Sequence, residues 1–249
     1  MSLKASLGQL RQWLQPQPLL QLQQQRQQLL DRRDLPPQLL ALLQSPLPAP
    51  TTALTELPLL ALDLETSGLD ANCDHILSLG YLPLNQRRWC LNKAQLQHVA
   101  AADKVCADSA VINHITPEML SHAQPLRQCL LALFEQMIGR AVVVHGRCIE
   151  QQFIEHWLWQ HYRIKQLPIL WFDTLHIEKA RQLDPERQLN GDFSLAAVRS
   201  DYQLPSYPSH HPTTDALACG ELLLAQWHKL YGQSRPTLGQ FCRSNYYQL

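Results

Sequence analysis

The sequence predicts an α/β fold, and two observations support that prediction. Short apolar segments, typical of buried strands, alternate with longer segments whose apolar residues recur at helical spacing. Hydrophobic residues make up 45% of the 249 residues, which is enough to fill a sizeable core. The alternation runs from Leu57 to about residue 231. We therefore expect one α/β domain over residues 57–231.

Five apolar segments form the predicted mixed sheet, and the first three are expected to be adjacent antiparallel strands. The segments are Pro58–Asp63, Ile76–Leu84, Arg88–Asn92, Ala141–His145 and Leu167–Phe172. Apolar residues at helical spacing predict the helices that flank this sheet. These helices are Leu126–Ile138, ended by Gly139, a helix around Ile149–Leu158, a helix that begins at Leu195 and is capped by Ser194, and Thr214–Leu230.

Residues 1–56 differ from the rest of the chain because they are rich in Gln, Leu and Pro. Near-helical spacing from Leu19 to Leu30 predicts a short amphipathic helix that stops before Pro36, and a second helix is predicted over Gln38–Gln44. These helices either pack on the domain or form an arm that binds a protein partner through residues 1–50. Residues 232–249 are predicted to be a C-terminal tail that folds back on the domain or stays mobile.

Charge and cysteine usage limit the classes of function. The 21 basic and 21 acidic residues balance, so nucleic-acid binding would be local and not the work of an overall basic field. Seven cysteines without a CxxC pair, and an N-terminus without a signal pattern, predict a reducing cytoplasm. The apolar runs are far shorter than the ~20 residues of a membrane span, so no membrane is expected.

Two carboxylates stand at the end of the first predicted strand. Asp63 and Glu65 are two residues apart, and the strand period of two places both on one face of the sheet. Their mutual repulsion is relieved if they share a divalent cation, since Mg²⁺ and Mn²⁺ prefer carboxylate oxygen. Acids at a strand end that reaches water are also ordinary, so the pair alone does not decide between the two interpretations.

A histidine and two further acids lie downstream. His210 precedes Asp215 by five residues, so it would lie over a metal site that includes Asp215 and take a proton from water. Glu150 begins the helix after the fourth strand and would face the strand carboxylates. Both acids also stand in the first turn of a helix, where the helix dipole favours a negative charge.

The order and spacing of these segments resemble the DEDDh (DnaQ-like) 3′–5′ exonuclease family, which includes the proofreading epsilon subunit of bacterial DNA polymerase III. The similarity covers most of residues 57–231. The family's first motif, Asp-x-Glu-Thr-Thr-Gly-Leu, resembles Asp63–Leu69, and its third, His-x-Ala-x-x-Asp, resembles His210–Asp215 with Pro212 at the position of the Ala. The second motif is similar to His145–Ile154. Ile112–Leu120 and Phe172–Leu175 resemble the family's substrate-loop segment and its Asp-Thr-Leu strand end.

The resemblance implies an RNase H-like fold and a two-metal mechanism with two divalent cations, Mg²⁺ or Mn²⁺. Asp63 would bridge the cations, Glu65 and Asp215 would complete the first site, and Glu150 would help to hold the second. His210 would be the general base. Single-stranded 3′ ends of DNA or RNA, with DNA favoured, would be the partners. The residues implied to contact the terminal nucleotide are Thr66, Ser67, Leu69 and Asn113.

Two positions depart from the family pattern, and they leave an alternative open. Glu150 stands where the family usually has Asp, and Gly146 stands where it usually has Asn. A catalytically weak nuclease fold that serves as a binding module is therefore the alternative function. Hydrolysis of a single phosphate or nucleotide is less favoured, because no Gly-rich phosphate loop is present. Trp157 and Trp159 would be packing residues more often than stacking platforms.

Overall fold

The computed structural model describes residues 18–85, 88–104, 115–208 and 210–248. Its helices and strands follow the predicted alternation. In chain order they are α1 (Pro18–Leu30), α2 (Pro37–Gln44), β1 (Leu59–Thr66), β2 (Ile76–Asn85), β3 (Arg88–Trp89), β4 (Gln95–His98), α3 (Pro117–Ser121), α4 (Leu126–Met137), β5 (Ala141–Val144), α5 (Cys148–Tyr162), β6 (Trp171–Asp173), α6 (Thr174–Arg181), α7 (Pro185–Asn190), α8 (Leu195–Asp201), α9 (Pro212–Tyr231) and α10 (Leu238–Cys242).

The strands form one mixed sheet in the order β3-β2-β1-β5-β6, and β4 pairs with β2 beyond the end of β3. β1 and β2 are antiparallel, as predicted, whereas β1, β5 and β6 are parallel. Parallel strands end at the same edge of a sheet, so the carboxyl ends of β1, β5 and β6 meet there. The segments that resemble the first motif, the second motif and the Asp-Thr-Leu strand end all lie at this edge, because β1, β5 and β6 end within them or directly before them.

The core has two layers, one on each face of the sheet. Alternate residues of β1 separate them, because Leu60, Leu62 and Leu64 join one cluster while Leu59 and Ala61 join the other. The first layer packs against α4 and α5 and the second against α9. Asp63 and Glu65 have the same parity as Leu59, so their side chains lie on the α9 face.

Helices α1 and α2 pack on the domain, which is one of the two interpretations of the N-terminal segment. Leu39, Leu42 and Leu43 of α2 are buried in the layer that contains α4, and the Arg26 guanidinium of α1 donates to the carbonyl of Pro168 at 2.8 Å. The predicted helices are therefore confirmed. A partner for residues 1–50 remains a proposal, and residues 1–17 lie outside the described ranges.

The C-terminal segment also folds back on the domain. Phe241 of α10 is fully buried beside Phe172, and Thr237 forms a bridge with Ala53. Two further backbone hydrogen bonds join Leu238 to Thr52 and Gly239 to Pro50. The segments that flank the predicted domain thus contact each other as well as the core.

Two strands differ from their predicted bounds. The predicted Arg88–Asn92 strand stops at Trp89, a 3₁₀ turn occupies Leu91–Lys93, and β4 resumes the edge of the sheet. The predicted Leu167–Phe172 strand begins only at Trp171, and Pro168, which has no N–H to donate to a strand ladder, lies in the segment before it. None of the helices in the described part of the chain is long and apolar enough to cross a membrane.

Candidate active site

The site begins with the two acids of β1. Asp63 lies opposite Gly80 of β2 and Glu65 lies opposite Ser78, and the regular register ends between Glu65 and Thr66. The strand therefore presents both carboxylates on one face just before it leaves the sheet, as the sequence predicts. Glu65 is 7% exposed.

Gly80 allows the start of α9 to reach Asp63. A Cβ atom at this position would lie 2.1 Å from the carbonyl carbon of Pro212 and 2.2 Å from the nitrogen of Thr213. The first turn of α9 therefore lies directly on β2, at the residue that pairs with Asp63. Sequence reasoning did not identify Gly80 as a site residue, since a glycine in a strand shows only that a side chain is missing.

Asp215 completes a group of three carboxylates. It lies in the first turn of α9, and carboxylate oxygens of Asp63, Glu65 and Asp215 all lie within 4.8 Å of one another. Among the described residues this is the one group of three potential metal ligands that comes so close. Three anionic groups at this separation repel one another strongly unless protons or cations lie between them.

The pKa values reflect this crowding. Burial, followed by the charges of Glu150, Glu65 and Asp215, raises the pKa of Asp63 well above its usual range. Burial and Asp215 raise the pKa of Glu65 to about 7. Burial also raises the pKa of Asp215, although the backbone N–H groups of His210 and His211 oppose the shift by hydrogen bonding to its carboxylate. The cluster thus favours a bound cation or proton.

Asp173 orients the loop that leads to the fourth acid. Its carboxylate accepts from the backbone N–H of Gly146 at 2.9 Å and of Arg147 at 3.0 Å, and it also caps α6 through Leu175 and His176. One side chain at the end of β6 therefore holds the entrance to α5. An Asp-Thr pair after a strand is a local signal for a helix cap, but its bonds to residues 146 and 147 have no local signal.

Gly146 has a backbone conformation that explains the first departure from the family pattern. Its φ is +89°, a region that side chains other than Gly and Asn seldom adopt. Gly therefore serves at this position in place of the family's Asn.

Glu150 lies in the first turn of α5 and is 4% exposed. Its Oε2 atom is buried without a hydrogen-bond partner, and it makes the largest charge contribution to the raised pKa of Asp63. Burial and Asp173 raise the pKa of Glu150 itself to about 8, against the effect of its own backbone N–H. The fold thus places the predicted fourth carboxylate beside Asp63.

His210 lies at the end of the loop before α9 and is exposed. Its backbone is left-handed, with φ at 63°, and its N–H hydrogen bonds to the Asp215 carboxylate. His211 is the residue before α9, and its ring contacts the hydroxyl of Thr214 at 3.3 Å. Both histidines are exposed, and the charge of each lowers the pKa of Asp215, so both lie near this acid.

A buried arginine holds the base of this loop. Arg199 of α8 donates to the carbonyls of Ala218 at 2.6 Å and Pro205 at 2.8 Å, and it pairs with Glu221 at 2.9 Å. The guanidinium also lies 4.7 Å from the ring centroid of Tyr207, whose hydroxyl donates to Glu221 at 3.1 Å. We call Arg199, Tyr207 and Glu221 the loop clamp. It ties the loop to α8 and α9 three residues before His210.

The segment after β1 forms a compact loop beside the acids. The Ser67 hydroxyl donates to Asp74 at 3.2 Å and the Thr66 hydroxyl donates to the carbonyl of Gly68 at 2.6 Å. The Leu69 side chain is 75% exposed, and its carbonyl accepts from Gln152 of α5 at 2.7 Å. Asn113, the other predicted nucleotide contact, lies outside the described residues.

Comparison with known proteins identifies similar chains. The model of the RNase_T family, described as Exonuclease, matches residues 60–223. No curated protein sequence matches the chain in a direct search.

Three solved structures have a similar fold. The nuclease domain of 3'hExo, a DEDDh family member bound to rAMP, has a TM-score of 0.57 and 14% identity over 72% of this chain and 94% of that one. Cell-death related nuclease 4 (CRN-4) has a TM-score of 0.56 and 13% identity over 70% of this chain. E. coli Exonuclease I in complex with a dT13 oligonucleotide has a TM-score of 0.55 and 13% identity over 70% of this chain. The chain spans 64% of CRN-4 and 41% of Exonuclease I.

Proposed function

The chain belongs to the RNase_T exonuclease family, and on that premise we propose that it is a divalent-cation-dependent 3′–5′ exonuclease. It would hydrolyse phosphodiester bonds at the 3′ end of nucleic acid, DNA more than RNA, and release nucleoside monophosphates. The observation that supports this best is the approach of the Asp63, Glu65 and Asp215 carboxylates to within 4.8 Å, with Glu150 buried beside them.

The donor set fits two divalent cations, Mg²⁺ or Mn²⁺. All four side chains offer carboxylate oxygen, which these hard cations prefer, and the raised pKa values of Asp63, Glu65 and Glu150 favour a bound positive charge. The unpartnered Oε2 atom of Glu150 is a ligand atom that no protein donor uses. In this proposal Asp63, Glu65 and Asp215 hold one cation, and Glu150 with Asp63 helps to hold the other.

The chain's own residues would divide the work as follows. Bound cations would lower the pKa of water and stabilise the charge that develops on phosphate oxygens. His210 would accept the proton of the attacking water, because it is exposed and its charge acts on Asp215. Thr66, Ser67 and Leu69 would contact the terminal nucleotide. Leu69 is the exposed apolar tip of this loop, and the loop would separate the terminal base from the next base. Asn113 would contribute to the same surface.

Glu150 is expected to support this chemistry although it is one methylene longer than Asp. Its carboxylate is held in the interior beside Asp63, so the longer side chain still reaches the cluster. We propose a cytoplasmic location, on the grounds that the six cysteines of the described residues are all free.

The experiment that tests this function is release of mononucleotides from single-stranded DNA and RNA with Mn²⁺, Mg²⁺ or EDTA. Labels at the 3′ end and at the 5′ end distinguish the two polarities. We expect metal-dependent release from the 3′ end that Asp63→Ala abolishes and that Glu150→Asp keeps or raises. Asp103→Asn, which removes an exposed carboxylate paired with Lys104, is the matched control and should leave activity unchanged.

Absence of cleavage of either substrate, even by Glu150→Asp, would contradict the proposal. The alternative, a nuclease fold that serves as a binding module, would then be favoured if the wild-type chain still bound the oligonucleotides.

A further inference from the structure

The outward face of α5 carries an aromatic and basic surface. Gln152, His156, Trp159 and Arg163 lie within about 60° of one another around the helix, because the α-helix has 3.6 residues per turn. Their spacing places them on the side opposite Ile154, one of the residues that bury α5 in the core. We call Trp159, Arg163 and Lys165 the α5 surface patch.

The two tryptophans of α5 have different environments. Trp157 is 5% exposed and packs on Phe134 and His161, so it is a packing residue as the sequence suggests. Trp159 is 40% exposed, and two cations lie near its ring: the guanidinium carbon of Arg163 at 5.4 Å and the Nζ atom of Lys165 at 5.6 Å from the centroid. An exposed indole flanked by two cations has no packing role that explains its exposure.

The sequence segment that contains the α5 surface patch has basic residues and no acidic ones. Residues 156–168 contain no Asp or Glu. The nearest acid in the helix is Glu155, whose carboxylate is occupied by hydrogen bonds from the N–H of Leu167 at 2.9 Å and from Gln151 at 2.9 Å. The patch therefore offers an aromatic face and two positive charges to a ligand that carries flat rings and negative groups.

The patch is continuous with the nucleotide-contact loop. Gln152, at the beginning of the same helical face, donates to the carbonyl of Leu69 at 2.7 Å. Trp159 is seven residues further along, which is a rise of about 10 Å. Stacked nucleotides rise about 3.4 Å each, so this distance corresponds to about three nucleotides.

We propose that the α5 surface patch binds the single strand upstream of the 3′ end that occupies the active site. This inference rests on the proposed nuclease function and extends it to substrate length. One base stacks on the ring of Trp159, and Arg163 and Lys165, which lie over this ring in the free chain, contact the phosphates on either side of the base. The chain would then prefer strands longer than about four nucleotides, although its overall charge is neutral.

The test compares hydrolysis of two 3′-labelled substrates, a thymidine trimer and a thymidine 12-mer, by variants of the full chain. Trp159→Ala is expected to raise KM for the 12-mer about tenfold and to leave the trimer unchanged, since loss of stacking acts only on a strand that reaches the patch. Trp159→Tyr keeps a ring and should retain most of the preference for the longer strand. Lys229→Gln is the matched control, because Lys229 also lies over an aromatic ring, that of the half-buried Tyr202 at 4.7 Å, but at the far end of α9.

A second arm measures the salt dependence of 12-mer binding in EDTA, by the change in fluorescence anisotropy of a labelled strand. The double variant Arg163→Asn/Lys165→Gln should weaken binding and reduce the slope of log Kd against log salt by about one to two. Asn is chosen at position 163 because it accepts the left-handed backbone, φ 55°, of that residue.

The outcomes separate this inference from the nuclease function. Equal effects of Trp159→Ala on both substrate lengths, or no effect on either KM or 12-mer binding, would overturn the inference while the wild-type activity stood. A wild-type chain that cleaves neither substrate would overturn the nuclease function, and the binding arm would still decide whether the patch holds a strand.

Discussion

Glu150 shows how a single acidic side chain can occupy a buried position that is unfavourable for its negative charge. Its carboxylate is buried between Asp63 and Asp173, and one of its oxygens has no hydrogen-bond partner. An ionised carboxylate in such a place costs several kcal/mol unless a cation or a proton neutralises it. The protein without cations therefore holds protons at this site that the unfolded chain would release.

This difference in proton binding gives a pH dependence with a definite sign. Glu65 and Glu150 titrate near 4.5 when unfolded, and burial raises their pKa values to about 7 and about 8 in the folded chain. Between these limits the folded state binds more protons, so its stability is present at low pH and is lost as pH rises. Buried His145, whose pKa burial lowers from 6.5, acts in the opposite direction below that value.

We expect the free energy of unfolding in EDTA to fall by up to ~2 kcal/mol between pH 6.5 and 8. Denaturant unfolding at the two pH values measures it. Glu150→Gln should reduce the fall, because an amide does not titrate. Mn²⁺ should raise the melting temperature more at pH 8 than at pH 6.5, since protons compete with the cation for the same oxygens. A metal-free chain that becomes more stable over this interval would contradict the placement of these acids.

At the scale of elements, α9 is positioned by two glycines. Gly80 of β2 admits the backbone of Pro212 and Thr213, and Gly220 of α9 itself admits the ring of Trp89, which would lie 2.3 Å from a Cβ atom there. The first contact lies at the N-terminal turn of α9, the turn that carries Asp215, and the second lies in the middle of the helix. The position of Asp215 thus depends on the absence of a methyl group on a neighbouring strand.

Gly80→Ala is expected to lower kcat at least ~100-fold, because displacing the α9 start by about 1 Å would move Asp215 away from Asp63. It should also lower the melting temperature, since overpacking costs about 1–3 kcal/mol. Gly220→Ala is the matched control: it should destabilise the chain by a similar amount but retain kcat at temperatures well below melting. Equal losses of kcat in both variants would show that Gly80 has no particular relation to the acids.

The loop clamp is a second device of this scale. Arg199 donates to the carbonyl of Pro205 in the loop and to a carbonyl and a carboxylate of α9, so it ties the loop to the helix. Lys at this position would keep the charge but lose the forked donors. If the clamp acts by placing His210, its effect must disappear when His210 is absent.

We expect Arg199→Lys and Tyr207→Phe to lower kcat about tenfold with little change in KM, and to add no further loss to His210→Ala. Steady-state kinetics of the single and double variants would measure this. Arg187→Gln removes an exposed ion pair with Asp201 on the neighbouring helix and should have no effect. Additive losses in the double variants would indicate a role for the clamp other than placing His210.

The sequence predicted the helices and strands better than the contacts between them. Strand periodicity placed Asp63 and Glu65 on one face, and the helix that carries Asp215 was predicted from Thr214, two residues after its start at Pro212. By contrast, β4 was not predicted, because its residues Gln95–His98 form an exposed edge without apolar alternation. The contacts of Gly80 with α9 and of Asp173 with the α5 loop join segments that are far apart in the chain, and such contacts leave no local pattern.

At the scale of the whole molecule, the N-terminal helices contribute to the core. Leu42 of α2 is 1% exposed and belongs to the same cluster as Leu133 and Phe134 of α4. An arm that was free of the domain would leave these leucines in water.

Leu42→Ala is therefore expected to lower the free energy of unfolding by about 2–5 kcal/mol, the cost of a cavity in a packed core. Denaturant titration at one pH measures this. Leu20→Ala is the control on α1, since Leu20 is 48% exposed and its truncation should change stability by less than ~0.5 kcal/mol. A Leu42→Ala variant as stable as the control would show that α2 is dispensable for the fold.

The seat that Gly80 provides for α9 also sets an order of events during translation. Asp63 and Glu65 are synthesised early, whereas Asp215 lies near the end of the family match. Asp215 reaches the two other acids only when α9 packs against β2. The carboxylate group is therefore completed last, after almost the entire domain has been synthesised. Until α9 has been synthesised, a nascent chain holds Asp63 and Glu65 without the third carboxylate of the group.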